Sequence, residues 1–385
     1  MNPETEQRAR DLLGRPAHRV ASAPGRVNLI GEHTDYNDGF AMPFAIQQRC
    51  VAAVAERDDG VVTVTSAQYE GSVTFDVTTQ PGDVDGWAAL AAGVVWSLRE
   101  AGVDVPGADL AVSSEVWGGA GLSSSAAVES AIALALGAGE ALAQQYGEDA
   151  LAQLTLLLQR AENEYVGAPT GILDQSASLR ATAEHLVLLD CRTREIELIP
   201  MDLGAAGLSL LVIDSMASHS HADGEYAARR ASCEAAATAL GVSALRDADM
   251  TMLDAAALPD ELHRRARHII TENDRVLAVA ALLQEGSDPR LTGPLLTASH
   301  TSMRDDFEIT VPEVDVAVET ALAAGVFGAR MTGGGFGGCV IALIDTDRAE
   351  AVVSAVEAAF DRHGFTAPRH VLAAPMPGAA IHDPA

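Results

Sequence analysis

The 385-residue sequence contains no lysine, so all 25 side chains of the Lys and Arg class are arginines. That absence excludes a P-loop nucleotide site, whose Gly-x-x-x-x-Gly-Lys-Ser/Thr motif needs a lysine at the terminal phosphates. It excludes a lysine-dependent protein kinase site for the same reason. Phosphate chemistry, if there is any, must rest on backbone amides, a metal ion and arginine. Aromatic residues make up only 4% of the chain, which predicts an aliphatic core with closely packed, alanine-rich helices. Cys50, Cys191, Cys233 and Cys339 lie far apart with no Cys-x-x-Cys pair, a pattern that suits reduced thiols in a cytoplasmic protein. No run approaches 18 uncharged apolar residues, and the opening MNPETEQRARDLLGR has no signal-peptide core, so neither a membrane span nor export is expected. The net charge of −29 argues against nucleic acid and anionic membrane as partners. The same charge opposes an anionic nucleotide, which would need Mg²⁺ and an amide-lined or locally basic pocket.

What is present begins with length and hydrophobic content, 48% of residues, which together predict a folded chain of two domains. The stretch most suggestive of chemistry is Trp117-Gly118-Gly119-Ala120-Gly121-Leu122-Ser123-Ser124-Ser125-Ala126-Ala127. Residues 108–114 before it alternate as a half-buried strand does. The alanine-rich segment after it reads as a helix up to Gly137. Strand, glycine loop, three hydroxyls and helix start form a phosphate cradle: glycines admit close backbone approach, and the helix start adds unpaired N–H donors with a partial positive charge. The serines can cap the helix and still offer an oxygen to Mg²⁺.

A second polar loop lies at 32–38, pinned between the apolar runs around Val27 and Ile46, and presents Glu32, His33, Thr34, Asp35, Tyr36, Asn37 and Asp38. So many donors and acceptors suit a polyhydroxylated ligand, although Asn, Asp and Gly are also ordinary turn residues. Beyond it, residues 51–77 read as strands joined by turns, with Asp58-Asp59-Gly60 as a hairpin signal. Residues 85–102 read as a helix in which Trp87 and Trp96 pack, and 148–166 as one long helix. Strands are expected over 184–214, and helices from 226 to 286 with breaks near Gly241 and Pro259. Ser218-His219-Ser220-His221 reads as a surface loop, since two histidines alone make a poor metal site.

Three motifs, in order, carry a family resemblance. Residues 24–39, Pro24-Gly25-Arg26-Val27-Asn28-Leu29-Ile30-Gly31-Glu32-His33-Thr34-Asp35-Tyr36-Asn37-Asp38-Gly39, resemble the galactokinase signature. The loop at 117–127 and the run Met331-Thr332-Gly333-Gly334-Gly335-Phe336-Gly337-Gly338-Cys339 resemble the second and third motifs of the wider GHMP kinases. The resemblance implies an α+β chain with the two-domain GHMP kinase fold: a ribosomal-S5-like domain over 1–203, a ferredoxin-like domain over 204–385, and an active site in the cleft between them. It implies transfer of phosphate from ATP to the C1 hydroxyl of α-D-galactose, in the Leloir route of galactose catabolism, by a cytoplasmic monomer. A kinase for N-acetylgalactosamine or another hexose, and a non-catalytic galactose and ATP sensor, are the alternatives on the same scaffold.

The resemblance also assigns residues. Asp174, in Gly171-Ile172-Leu173-Asp174-Gln175, is the expected catalytic base, and Arg26 its partner and the partner of the transferring phosphoryl group. A guanidinium beside a carboxylate favours its ionised form and balances charge on phosphoryl oxygens. Positioning and charge stabilisation are therefore expected to contribute more than early proton removal. Glu32, His33, Thr34, Asp35, Gly171, Asp174 and Tyr226 are expected at the sugar, and Gly119, Ala120, Gly121, Leu122, Ser123, Ser124 and Ser125 at the phosphates. Ser66 is expected near the adenine, and Glu162 with Ser125, in preference to Ser124, as ligands of Mg²⁺. Trp117 departs from the motif, which has proline there, and Ala168-Pro169-Thr170 is a place where sugar selectivity could vary.

Overall fold

The fold was obtained as a computed structural model that describes residues 2–168, 170–217 and 222–382. Its strands in chain order are β1 (Arg19–Asn28), β2 (Phe40–Ala41), β3 (Pro43–Arg57), β4 (Val61–Ser66), β5 (Ser72–Asp76), β6 (Gly107–Ser114), β7 (His185–Asp190), β8 (Ile196–Pro200), β9 (Leu208–Asp214), β10 (Gly328–Thr332), β11 (Cys339–Asp345), β12 (Arg369–Ala373) and β13 (Ala380–His382). They form a six-stranded sheet in the order β13-β1-β3-β6-β4-β5, a four-stranded sheet β10-β11-β9-β12 and a three-stranded sheet β2-β7-β8. All pairs are antiparallel except β4 with β6.

Side-chain alternation along β3 explains how the first sheet is covered. Cys50, Ala52 and Val54 join Val94, Val95 and Leu98 of the helix Ala89–Glu100, and Ala127, Ala131 and Ile132 of the helix Ser124–Ala135, in one core. Val51 and Ala53 face the other way, with Val20, onto Ala9 of the helix Pro3–Leu13. The same rule operates in the four-stranded sheet. Leu208, Leu210, Val212, Cys339, Ile341 and Leu343 belong to the core shared with the first half of the chain. Leu211, Ile213, Val340, Ala342 and Ile344 face a second core built with the helices Asp260–Gln284, Pro312–Ala323 and Ala349–His363. Each buried Val, Leu or Ile contributes about 1.5–3 kcal/mol, and a slip of one residue would exchange the two faces. Register is therefore set on both sides.

Two local readings change. Asp58-Asp59-Gly60 turns the chain, but β3 and β4 are not neighbours: β6 lies between them, paired antiparallel to β3 and parallel to β4. The expected long helix is α-helical only over Ala150–Arg160 and then widens into a π-helix, Ala161–Val166, ending at Gly167 in the left-handed region. Ser218 to His221, read as a surface loop, lie outside the described residues. Among the described residues no single helix is long and apolar enough to cross a membrane.

The two halves are pinned by a buried ionic cluster. Arg330 on β10 is wholly buried; it donates to the Leu29 carbonyl at 2.8 Å and to the Glu32 carboxylate, and lies 3.5 Å from Glu272. Glu272, also wholly buried, accepts from the Gly31 amide at 3.0 Å, Ser299 Oγ at 2.6 Å and Arg275 Nε at 2.7 Å. Burial would raise the Glu272 carboxyl, but Arg275 and Arg330 outweigh it and hold it at about 2. Replacing Arg330 by Met leaves the Glu32 carboxylate uncompensated in the interior and Glu272 with Arg275 alone. The substitution is expected to lower the unfolding free energy by about 3–5 kcal/mol, read as a shift of the urea midpoint with the m-value unchanged.

Candidate active site

The centre of the site joins residues far apart in sequence. Arg26, on β1, donates through Nε to Asp174 Oδ1 at 2.7 Å and lies 2.6 Å from the same oxygen through Nη2. Its Nη1 donates to the Gly121 carbonyl at 2.6 Å, and its backbone amide to the Leu122 carbonyl at 3.1 Å. The second Asp174 oxygen accepts from the Ser123 hydroxyl. Asp174 sits in the first turn of the helix Leu173–Arg180 and remains 21% exposed, while Arg26 is 9% exposed. The guanidinium is thus fixed, and the carboxylate keeps a face toward the cavity.

Ser123 differs from its expected role as a helix cap. It precedes the helix Ser124–Ala135 at φ 54°, makes no side-chain capping bond, and spends its hydroxyl on Asp174. A non-glycine residue there costs on the order of 1–3 kcal/mol. The first-turn amides of the helix are consequently left without a serine side chain as acceptor. Gly121 supplies the bend just before, at φ 74°, where a side chain would be strained. The third motif closes on this loop: a Cβ on Gly333 would lie 3.3 Å from the Gly121 carbonyl. Ala120 and Leu122 point into the core and offer only backbone, while Gly119 is exposed at φ 72°.

On one side of this centre is a cavity of about 190 Å³, lined by Arg26, Asn28, Glu32, His33, Asp35, Gly171, Asp174 and Tyr226 with Thr170, Gly333 and Gly334. Glu32 accepts from Arg330 and from the Gly333 amide at 3.1 Å; burial raises its carboxyl while Arg330 opposes the rise. His33 Nε2 meets the Gly334 carbonyl at 3.0 Å and Nδ1 meets the Tyr36 hydroxyl at 2.6 Å. A carbonyl only accepts, so Nε2 carries the proton and Nδ1 accepts from Tyr36. Burial lowers the imidazole to about 3, which keeps it neutral. Burial raises the Asp35 carboxyl to about 6, and the charge of Asp174 adds to the rise. Tyr226 packs its ring 4.9 Å from His33. Thr34 is the exception among the expected sugar residues: it is fully buried outside the cavity, and its hydroxyl lies 2.8 Å from the Gly31 carbonyl and 2.7 Å from that of Phe40. It braces the loop instead.

A second, more apolar cavity of about 160 Å³ lies against the serines that follow Ser123. Ser66, Ser124, Ser125 and Gly118 line it, as do Tyr69 and Trp87, whose rings stack at 5.3 Å and 3°. Trp87, read as a packing residue, therefore borders a cavity; nothing in its local pattern distinguishes that from core. Asn28, Gly333 and Gly334 lay within quoted motifs without an assigned contact, and Tyr69 had no signal. Glu162 is carried by the π-helix, is buried, and accepts from Gln175 Nε2 at 2.6 Å and Thr170 Oγ1 at 3.2 Å. Burial raises its carboxyl, and the Ser125 hydroxyl beside it opposes the rise. Ser125 and Glu162 thus meet. Trp117 holds its ring 4.7 Å beneath the Arg369 guanidinium, so a cation–π contact stands where the motif has proline.

Gly171 is required by close approach: a Cβ there would fall 1.7 Å from Asp35 Oδ2. Gly171→Ala is expected to push the Asp35 carboxylate aside and cost about 1–3 kcal/mol, with the Asp35→Asn, Gly171→Ala pair showing a non-additive stability change in a denaturation cycle.

Comparison with known proteins agrees with this geometry. Residues 10–56 match the galactokinase galactose-binding signature, 89–182 the GHMP kinases N-terminal domain and 278–362 the GHMP kinases C-terminal region. The chain is 50% identical to a galactokinase of Streptomyces coelicolor over 97% of its own length and 96% of the relative's. It is 49% identical to one of Mycobacterium tuberculosis, covering 93% and 98%. Lactococcus lactis galactokinase, solved with galactose, superposes with a TM-score of 0.87 at 31% identity, covering 98% of both chains. The Methanococcus jannaschii mevalonate kinase, at 16% identity and a TM-score of 0.65 over 94% and 100%, shares the fold. With the arginine–aspartate centre in the wall of a polar cavity and near-full-length relatives at half identity, the chain belongs to the galactokinase family of the GHMP kinases.

Proposed function

We propose that the chain transfers the γ-phosphoryl group of ATP to the C1 hydroxyl of α-D-galactose, giving galactose 1-phosphate and ADP. The observation that supports this reading most is Asp174 in the wall of a polar cavity, held by Arg26 and by Ser123, the residue just before the serines that line a more apolar cavity. The sugar enters the polar cavity, where Glu32, Asp35, Gly171 and Tyr226 meet its hydroxyls and His33, both ring nitrogens already engaged, forms part of the wall. A wrong epimer leaves one of these buried polar groups unpaired, which discriminates strongly. The nucleoside enters the apolar cavity beside Ser66, Tyr69 and Trp87. Its phosphates run along the amides of 119–125 at a helix start, which favours anions.

The C1 oxygen forms a bond to the γ-phosphorus as the β,γ-bridging P–O bond breaks, and the hydroxyl proton passes to Asp174. Arg26 holds the carboxylate in position and faces the charge on the equatorial phosphoryl oxygens. Among the described residues no three His, Cys, Asp or Glu side chains form a metal cluster. An ion here would be held by the Glu162 carboxylate and Ser125 hydroxyl, an oxygen-only pair that suits Mg²⁺ and leaves positions for phosphate and water. When bound, the ion offsets phosphate charge that the acidic chain would otherwise repel. In this reading residues 1–203 supply the phosphate loop and most sugar contacts, 204–385 supply Tyr226, Gly333 and Gly334, and the chain acts as a cytoplasmic monomer.

Product identification with a panel of free hexoses, ATP and Mg²⁺ tests the substrate. Galactose is expected to turn over, and Asp174→Asn to lower kcat by about 10²–10⁴ with less than tenfold change in galactose affinity. Preferential turnover of N-acetylgalactosamine or another hexose would replace the assignment. A sugar hydroxyl donates more strongly to ionised Asp35 than to the neutral acid, so kcat/KM for galactose should rise as pH increases through about 6. That inflection should vanish in Asp35→Asn.

A further inference from the structure

The glycine loop is held at its two ends by arginines from opposite halves of the chain. At its far end Arg26 donates to the Gly121 and Leu122 carbonyls. At its entry stands Trp117, half-buried against the first core, with the Arg369 guanidinium 4.7 Å from its ring. Between these points Gly118 and Gly119 are exposed, and nothing lies within 4 Å of a Cβ built on either. Packing does not fix the middle of the loop, so its ends must.

Arg369 is itself anchored. It lies on the edge strand β12 opposite Asp214 of β9; its Nε donates to Asp214 Oδ2 at 3.1 Å, and its Nη2 donates to the same oxygen. Asp214 is buried, and its other oxygen accepts from the Met216 amide at 3.0 Å. Across the sheet it pairs with Cys339, the last residue of the third motif. The guanidinium thus uses its N–H groups on the second half of the chain and presents its face to the indole ring, a division that its planar shape allows.

The motif has proline where Trp117 stands, and a proline ring locks φ near about −65°. Tryptophan leaves that angle free. A guanidinium stacked on the indole supplies a restraint of similar size from outside the loop. We propose that Trp117 and Arg369 are positioning residues for the phosphate loop: their stack ties the loop's entry to β12 and holds it at the angle at which its amides meet the triphosphate. Neither residue lines the polar cavity or the more apolar one, so both act through the loop. The part of the inference that concerns ATP rests on the phosphate-loop reading above; the part that concerns loop order does not.

The experiment has two arms, both built on Arg369→Gln, which removes the cation while its amide still donates to Asp214. In the nucleotide-free chain, hydrogen exchange over residues 115–122 should be faster in Arg369→Gln than in wild type, and adding Trp117→Pro should slow it again. Calorimetric titration with Mg²⁺ and a non-hydrolysable ATP analogue, at saturating galactose, should show Arg369→Gln binding about two- to fivefold more weakly. Galactose affinity should be unchanged, and Trp117→Pro should restore analogue affinity in the Arg369→Gln chain. Trp117→Leu should weaken the analogue to the same degree as Arg369→Gln, and the two together no further. A loss that Trp117→Pro fails to restore, or that adds to the loss in Trp117→Leu, means that Arg369 acts on the phosphates by charge, and overturns the inference. Wild-type exchange and affinity in Arg369→Gln overturn it as well. If the Trp117→Pro chain does not fold, the Trp117→Leu, Arg369→Gln cycle decides. Faster exchange with unchanged analogue affinity would uphold the tether and reject the placement of the phosphates on this loop.

Discussion

One guanidinium sets the geometry of this molecule. Arg26 bonds the Asp174 carboxylate with one part of its fork and the Gly121 carbonyl with another. A lysine ammonium could not reproduce this fixed planar arrangement. Through it, the strand that leads into the loop lining the polar cavity, the helix that carries Asp174 and the glycine loop at 118–121 are held in one frame. Ser123 completes the frame from the opposite carboxylate oxygen, and the left-handed backbone it adopts is offset by that bond. An acid aimed this way needs little motion to meet a hydroxyl, which is the contribution that orientation makes to a group transfer.

Around this centre the chain manages charge by pairing. A polypeptide of net charge −29 that handles a nucleotide must keep its carboxylates occupied. Glu32 and Glu272 are neutralised through Arg330 and Arg275 in the interior, and the same cluster joins the loop lining the polar cavity to the helices of the second half. Buried ion pairs of this kind add little net stability but are costly to break. Their consequence is positional: the Gly31 and Gly333 amides are both tied to these carboxylates, and both residues line the polar cavity.

Much of this was legible in the sequence, and the failures have physical causes. The apolar alternation of β9 and β11 and the glycine loop before an alanine-rich helix are local signals, and they became a two-faced sheet and a phosphate-loop geometry. Arg26, Asp174, Glu162 and Ser125 were placed by resemblance to family motifs, and the structure brings each pair together. The Asp58-Asp59-Gly60 turn misled because β6 enters between β3 and β4 and pairs with both, so the turn joins strands that are not neighbours. Thr34 looked like its polar neighbours but had two carbonyls of its own loop to satisfy. Ser123 gave up its cap because a carboxylate far along the chain outbids a backbone amide as its partner. The π-helix and the Tyr69–Trp87 stack left no periodic trace.

The claim at the centre is that Arg26 and Asp174 act as one unit and not as two independent contributors. The most direct measurement is a double-mutant cycle on the single-turnover rate of phosphoryl transfer to galactose with Arg26→Gln and Asp174→Asn. The account predicts that the double variant is within about threefold of the slower single variant, because either change alone dismantles the pair. If the two rate losses instead multiplied, the residues would be acting separately, and the account would be contradicted.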